Sequence, residues 1–224
     1  MLHIFTGSLT LNMESDDFRL REAYLTLRAQ LDTDGMLSTN TTVLPARGLN
    51  PGELIQHLST IPFLAAARIV VVEGLLVALG SRRGAMDQWQ QLVDFVGVMP
   101  ETNHLVLLEP APDRDDRQAL DRSPLFRALR ALPGVDVREF RALRLFGRDS
   151  GNEVARWILE RAALRGVPLE RTAAEAMSEL VGADLWALAQ ELDKLAQYAQ
   201  GRPITVADVR LLTAAARIVV VEGL

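Results

Sequence analysis

Ile61-Pro-Phe-Leu-Ala-Ala-Ala-Arg-Ile-Val-Val-Val-Glu-Gly74 sets a proline and two large apolar residues, Phe63 and Leu64, just ahead of an alanine run. It closes on an unbroken β-branched run at 69–72, stopped by Glu73 and Gly74. Such a run, with no polar alternation, suits a strand buried on both faces, as in a parallel sheet packed between helices. Phe63 and Leu64 then fall at a helix-to-strand junction. There they either seal the core beneath the sheet or face outward as a binding pair. The word at 65–75 returns unchanged at 214–224.

Working outward, further strands are expected at 2–5, 41–44, 104–108 and 135–140. Helical patterns lie between them. Ser15 reads as an N-cap with Asp16 and Asp17 favoured by the helix dipole, followed by a stripe of Phe18, Leu20, Tyr24, Leu27 and Leu31. Pro51 starts a second helix through Leu54, Ile55 and Leu58. Residues 80–84 form a turn, and 86–96 a helix with Trp89, Leu92, Val93 and Val96 at core spacing, broken by Pro100. A helix at 125–132 precedes the last strand. Alternating strand and helix predicts an α/β domain over 1–143 built on a Rossmann-type parallel sheet.

The pattern then changes. Residues 144–151 read as a linker, and helices follow at 152–164 (Val154, Trp157, Ile158) and 171–181. Asp184 caps a third helix carrying Leu185, Leu188, Leu192, Leu195 and Tyr198, and Thr205 with Asp208 forms a capping box opening a short fourth. A small helical domain is expected over 144–213, leaving 214–224 as a duplicated tail.

Composition narrows the chemistry. The 224 residues are 49% hydrophobic and 24% charged, with a net charge of −5, so nucleic acid would need a local basic patch. Lys194 is the only lysine, an arginine bias that reads as compositional. Without cysteine there is no disulfide framework, thiolate metal site or cysteine nucleophile. Neither a signal peptide nor an apolar run of roughly 18 residues is present, so no membrane contact and a cytoplasmic location are expected. Thr6-Gly7-Ser8 follows the first strand where a phosphate loop would begin, but no second glycine or lysine follows to complete a Walker loop. ATP hydrolysis is therefore not expected. Asp113, Asp115 and Asp116 are interleaved with Arg114 and Arg117 and read as a solvated helix start rather than a metal site. His3, His57 and His104 look too scattered to form a metal pair, and Asn40-Thr-Thr is a sequon by pattern only. No catalytic, metal or cofactor-binding residue is identified.

A Rossmann-like domain followed by a small helical one is the plan of AAA+ modules. Val181-Gly-Ala-Asp-Leu-Trp-Ala-Leu-Ala-Gln-Glu-Leu-Asp-Lys-Leu-Ala-Gln-Tyr198 and Gly201-Arg-Pro-Ile-Thr-Val-Ala-Asp-Val209 closely resemble the lid of the delta subunit of bacterial DNA polymerase III. Asp16-Asp-Phe-x-Leu-x-Glu22, Pro62-Phe-Leu with Arg68-Ile-Val-Val-Val72, and Ala155-Arg-Trp-Ile158 extend the resemblance across 1–212. It implies an AAA+-like domain with a degenerate nucleotide site and a lid. It further implies a clamp-loader subunit that binds and opens the sliding clamp (beta subunit) during DNA replication without hydrolysing ATP itself. Its partners would be the clamp, the other loader subunits and, indirectly, primed DNA; polymerase activity belongs to the holoenzyme. The family's clamp-binding apolar pair corresponds to Phe63 and Leu64, in reversed order here. An ATP-hydrolysing AAA+ protein, or a DNA-binding adaptor using Arg138, Arg141, Arg144 and Arg148, are the alternative readings.

The sequence departs from the family at residues 9–14, which intervene before the acidic helix start, and at 144–150. The family also continues into a helical collar, so this chain is expected to be a truncated member. Recombination, truncation or construction would each produce the repeated tail. Residues 218–221 are expected as an orphan strand that pairs with the sheet or promotes association.

Overall fold

The computed structural model describes residues 1–80, 82, 84–146 and 151–221, with the backbone alone for 214–221. Two compact units, Met1–Ala142 and Leu143–Leu224, divide the chain.

The first unit alternates β1 (Leu2–Thr6), α1 (Asp17–Leu31), β2 (Thr41–Pro45), α2 (Pro51–Ser59), β3 (Arg68–Glu73), α3 (Leu75–Leu79), α4 (Ala85–Val96), β4 (Asn103–Glu109), α5 (Arg114–Arg122), α6 (Pro124–Arg130) and β5 (Asp136–Glu139). The strands form a parallel sheet in the order β2-β3-β4-β1-β5. β3 shows why its run is apolar throughout. Val70 and Val72 point into a core with Leu54, Leu58, Trp89, Leu105, Leu107 and Phe126. Ile69 and Val71 point the other way, to Phe5, Leu20, Leu27, Val106 and Leu108. Both faces are covered, so the period-2 polar signal of a half-solvated strand is lost.

Local details differ from the sequence expectation where a tertiary partner competes. Asp16, not Ser15, caps α1 and accepts from the Arg19 amide. Ser15 is drawn away, its hydroxyl donating to the Ala111 carbonyl at 2.7 Å and accepting from the Ser8 amide at 2.9 Å. α4, by contrast, ends at Val96 as expected, ahead of Pro100. After β3 the chain does not simply turn: Gly74, at φ +74, opens the short helix α3. Ser81 and Arg83 of the expected turn lie outside the described residues.

The second unit packs α7 (Glu153–Leu164), α8 (Arg171–Val181), α9 (Leu185–Ala199) and α10 (Val206–Val221) around Ile158, Met177, Leu188, Leu192, Leu195 and Val209. The motif residues that carry the resemblance do structural work. Gly182 sits at φ +90 at the end of α8, and Asp184 accepts from the Trp186 and Ala187 amides to start α9. Glu191 accepts from Thr213 at 2.6 Å and pairs with Lys194 at 2.7 Å, while Lys194 donates to the Leu212 carbonyl, tying α9 to α10. The Thr205/Asp208 capping box forms. The Asp208 carboxyl lies well below the usual carboxylate range, chiefly through the Arg202 guanidinium and then the Thr205 amide. α10 is not short, and its helical backbone continues to Val221, so 218–221 do not form the expected strand. Residues 222–224, and 147–150 of the expected linker, lie outside the described residues. No helix among the described residues is long and apolar enough to cross a membrane.

Candidate functional site: the apolar loop before β3

The segment between α2 and β3 exposes three large apolar side chains within four residues: Ile61 at 73%, Phe63 at 67% and Leu64 at 75%. Phe63 and Leu64 therefore do not seal the core. Natural surfaces tolerate single exposed apolar residues, and a cluster such as this one is the candidate for a binding surface.

The base of this loop is tied down on several sides. α2 ends with Ser59 and Thr60 hydroxyls donating to the Ile55 and Gln56 carbonyls. Asn103, fully buried at the start of β4, donates to the Leu58 and Thr60 carbonyls at 2.6 and 2.9 Å. Arg68 reaches back from β3 to the His57 carbonyl and the Thr42 hydroxyl. Asn40, ahead of β2, contacts Phe63 through both ends of its carboxamide. The sequence pattern pointed to Phe63 and Leu64 but missed Ile61 and Asn40. A lone asparagine before a strand carries no periodic signal, and only the sheet brings it within reach of residue 63.

The loop after β1, where a phosphate loop would begin, is hydrogen-bonded within the protein. Gly7 donates to the Glu109 carbonyl at 2.7 Å, Ser8 to Ser15 Oγ, Leu9 to the Glu139 carboxylate at 2.8 Å and Thr10 to Ser8 Oγ. Amides that would cradle a phosphate are thus committed to the protein. The adjoining cleft, about 460 Å³, is lined by Glu14 and Asp17 as well as Arg21 and Arg117, and Arg21 is already paired with Asp17 and Glu73 at 2.8 and 2.9 Å. Gly7 is required by close approach: a methyl there would overlap the Pro110 carbonyl oxygen and the Ser15 side chain. Gly7→Ala is expected to destabilise the first unit by about 2–3 kcal/mol in denaturant unfolding, because backbone is the obstacle.

Glu109, at the end of β4, is wholly buried and points at α3, with its oxygens 2.8 and 3.1 Å from the Leu76 and Val77 amides. Burial pushes its carboxyl up to about 8 against the opposing pull of those amides.

The histidines are not all scattered. Parallel pairing of β1 and β4 sets His3 and His104 on one face, rings stacked at 5.4 Å with Nε2 of His3 3.1 Å from Nδ1 of His104. Nδ1 of His3 lies 3.3 Å from Asp136 of β5, which also binds Arg138. A separation of 101 residues hid this pair from the sequence. Among the described residues no group of three His, Cys, Asp or Glu side chains is arranged to hold a metal. Burial, then the Met1 ammonium and His3, lowers His104 to about 4; burial also lowers His3, against the opposing pull of Asp136. The folded chain thus keeps His104 neutral where the unfolded chain is protonated. Its contribution to stability is full above about pH 6.5 and lost as pH falls through about 4. Thermal melting is expected to show this acid-side loss diminished in His104→Gln.

Residues 15–131 match the sequence profile described as DNA polymerase III, delta subunit. The chain belongs to that family. No curated protein sequence matches it. Among solved structures, the Bacillus subtilis DNA clamp loader delta protein (YqeN) superposes with a TM-score of 0.65 at 19% identity, covering 94% of this chain and 57% of that one. The Thermotoga maritima RuvB Holliday junction branch migration motor gives 0.50 at 15% identity, covering 96% of this chain and 61% of that one. These likenesses establish the AAA+-like α/β fold, and the chain spans little more than half the length of either protein. In this delta-family chain the exposed apolar loop is the α2–β3 connection.

Proposed function

We propose that this delta-family chain acts in a cytoplasmic clamp loader, binding a bacterial sliding clamp through Phe63 and Leu64, flanked by Ile61, and favouring the open ring. The observation that carries this reading is the exposed apolar pair on a loop whose base is hydrogen-bonded to α2, β3 and β4. A preformed apolar protrusion suits insertion into a pocket, where two buried anchors supply most of the binding free energy. Ring opening then needs no chemistry of its own: the chain opens the clamp only to the extent that it binds the open form more tightly than the closed one. ATP turnover falls to sister subunits, a division supported by the internal hydrogen bonding of residues 7–10 and the carboxylates lining the cleft. The first unit serves as clamp-engaging module and the second as lid, with primed DNA reached indirectly.

The DNA-adaptor alternative has less support. Arg138 is engaged by Asp136 and lies 5.2 Å from the Phe5 ring centre, Arg141 donates to the Ala142 carbonyl, and Arg148 lies outside the described residues. Equilibrium binding to a purified bacterial sliding clamp, with ATP turnover measured on the same preparation, tests the proposal. Clamp binding without turnover is the expected result; turnover, or a folded chain that ignores the clamp, overturns it.

A further inference from the structure

Phe63 and Leu64 are exposed, yet the backbone that carries them is held by side chains from the α1–β2 connection. Asn40 is 1% exposed. Its Oδ1 accepts from the Phe63 amide at 2.6 Å, and its Nδ2 donates to the Phe63 carbonyl at 3.0 Å and the Met36 carbonyl at 3.1 Å. Its main chain is also fixed, the amide donating to Leu37 and the carbonyl accepting from Ile69 of β3. Three residues after Phe63, the Ala66 amide donates to Asp34 Oδ2 at 2.6 Å, while Asp34 Oδ1 accepts from the Met36 amide at 2.9 Å. One carboxamide and one carboxylate therefore grip the loop on either side of Leu64. Between them Leu64 is held at φ +51, a left-handed conformation that leucine adopts only when its surroundings impose it.

We propose that Asn40 and Asp34 are positioning residues that pre-order the clamp-binding loop, so that Phe63 and Leu64 meet the clamp already displayed. The inference rests on the reading of Phe63 and Leu64 as the clamp contact. Neither residue needs to touch the clamp. A free loop would have to be ordered on binding, and each immobilised segment lowers affinity by the entropy it loses.

The test uses the full chain and three variants: Asn40→Ala, Asp34→Ala and Phe63→Ala/Leu64→Ala. Three properties are read: affinity for a purified bacterial sliding clamp, hydrogen exchange at the Phe63 and Ala66 amides, and thermal melting. Asn40→Ala is expected to weaken clamp binding about tenfold and Asp34→Ala about threefold, as befits lost pre-ordering rather than lost contact. Exchange should quicken at Phe63 in the first variant and at Ala66 in the second, while the Val70 and Val106 amides of the sheet keep their protection. Asp34 is exposed, so its variant retains the fold and decides the matter even if Asn40→Ala does not fold. Unchanged affinity or unchanged exchange in a folded variant overturns the proposal. If Phe63→Ala/Leu64→Ala binds the clamp as the parent does, it is the clamp-contact reading that fails, and the exchange data still report whether the two side chains order the loop.

Discussion

Replacing Phe63 and Leu64 together by alanine is expected to lower affinity for a bacterial sliding clamp by about a hundredfold to ten-thousandfold, with the melting temperature unchanged. The magnitude follows from burying two large apolar side chains in a partner pocket, at roughly 1.5–3 kcal/mol each. Their exposure of 67% and 75% explains the second half of the expectation, since each contributes little packing to the folded chain. Ile61→Ala should have a smaller effect in the same direction, as a flank that excludes water rather than an anchor. Titration of labelled clamp with parent and variant, beside a thermal melt of each, reads both quantities. Equal binding by the two proteins would move the contact elsewhere on the molecule.

The second large effect is on stability. Glu109→Ala is expected to destabilise the first unit by about 3 kcal/mol, because it leaves the Leu76 and Val77 amides without their buried acceptor and opens a cavity beneath α3. Glu109→Gln separates hydrogen bonding from charge. The folded-state carboxyl is raised from an ordinary 4.5 to about 8, so the folded chain retains a proton that the unfolded chain releases. Its contribution is complete below about pH 4.5 and declines as pH rises towards 8, by on the order of 5 kcal/mol over that window. Chemical denaturation of the parent across this range should show that decline, and Glu109→Gln should remove most of it. A decline of equal size in the glutamine variant would mean that Glu109 is ionised throughout. The His104 contribution runs the opposite way, growing between about pH 4 and 6.5, which is why the two variants must be measured separately.

Much of the architecture was legible because its causes are local. The apolar run at 69–72 announced a two-sided strand, Pro51 and Asp184 announced helix starts, and the Thr205/Asp208 spacing announced a capping box that forms as read. The apolar pair at 63 and 64 was visible as a composition anomaly beside a proline, and its match to the delta family rested on short words in order along the chain. Alternating strand and helix was enough to give the α/β class.

What only the tertiary structure decided depends on contacts between residues far apart in the chain. The pairing of β1 with β4 and β5 creates the His3–His104–Asp136 cluster, and the approach of the Asn40 turn to the α2–β3 loop creates the clasp on Phe63. Ser15 had the right residue type for a cap and lost that role to Asp16 because Ala111 and Ser8 were nearer partners. The repeated word makes the division plain. At 65–75 it follows Pro62 and the left-handed Leu64, and its β-branched run pairs with β2 and β4 as a buried strand. At 214–221 the same residues continue a helix begun at the Thr205 capping box. Propensity is a preference of a fraction of a kcal/mol per residue, whereas sheet pairing and helix propagation are cooperative and act through neighbours. The sequence by itself determined which segments are apolar and where elements start; the fold determined what each of them became.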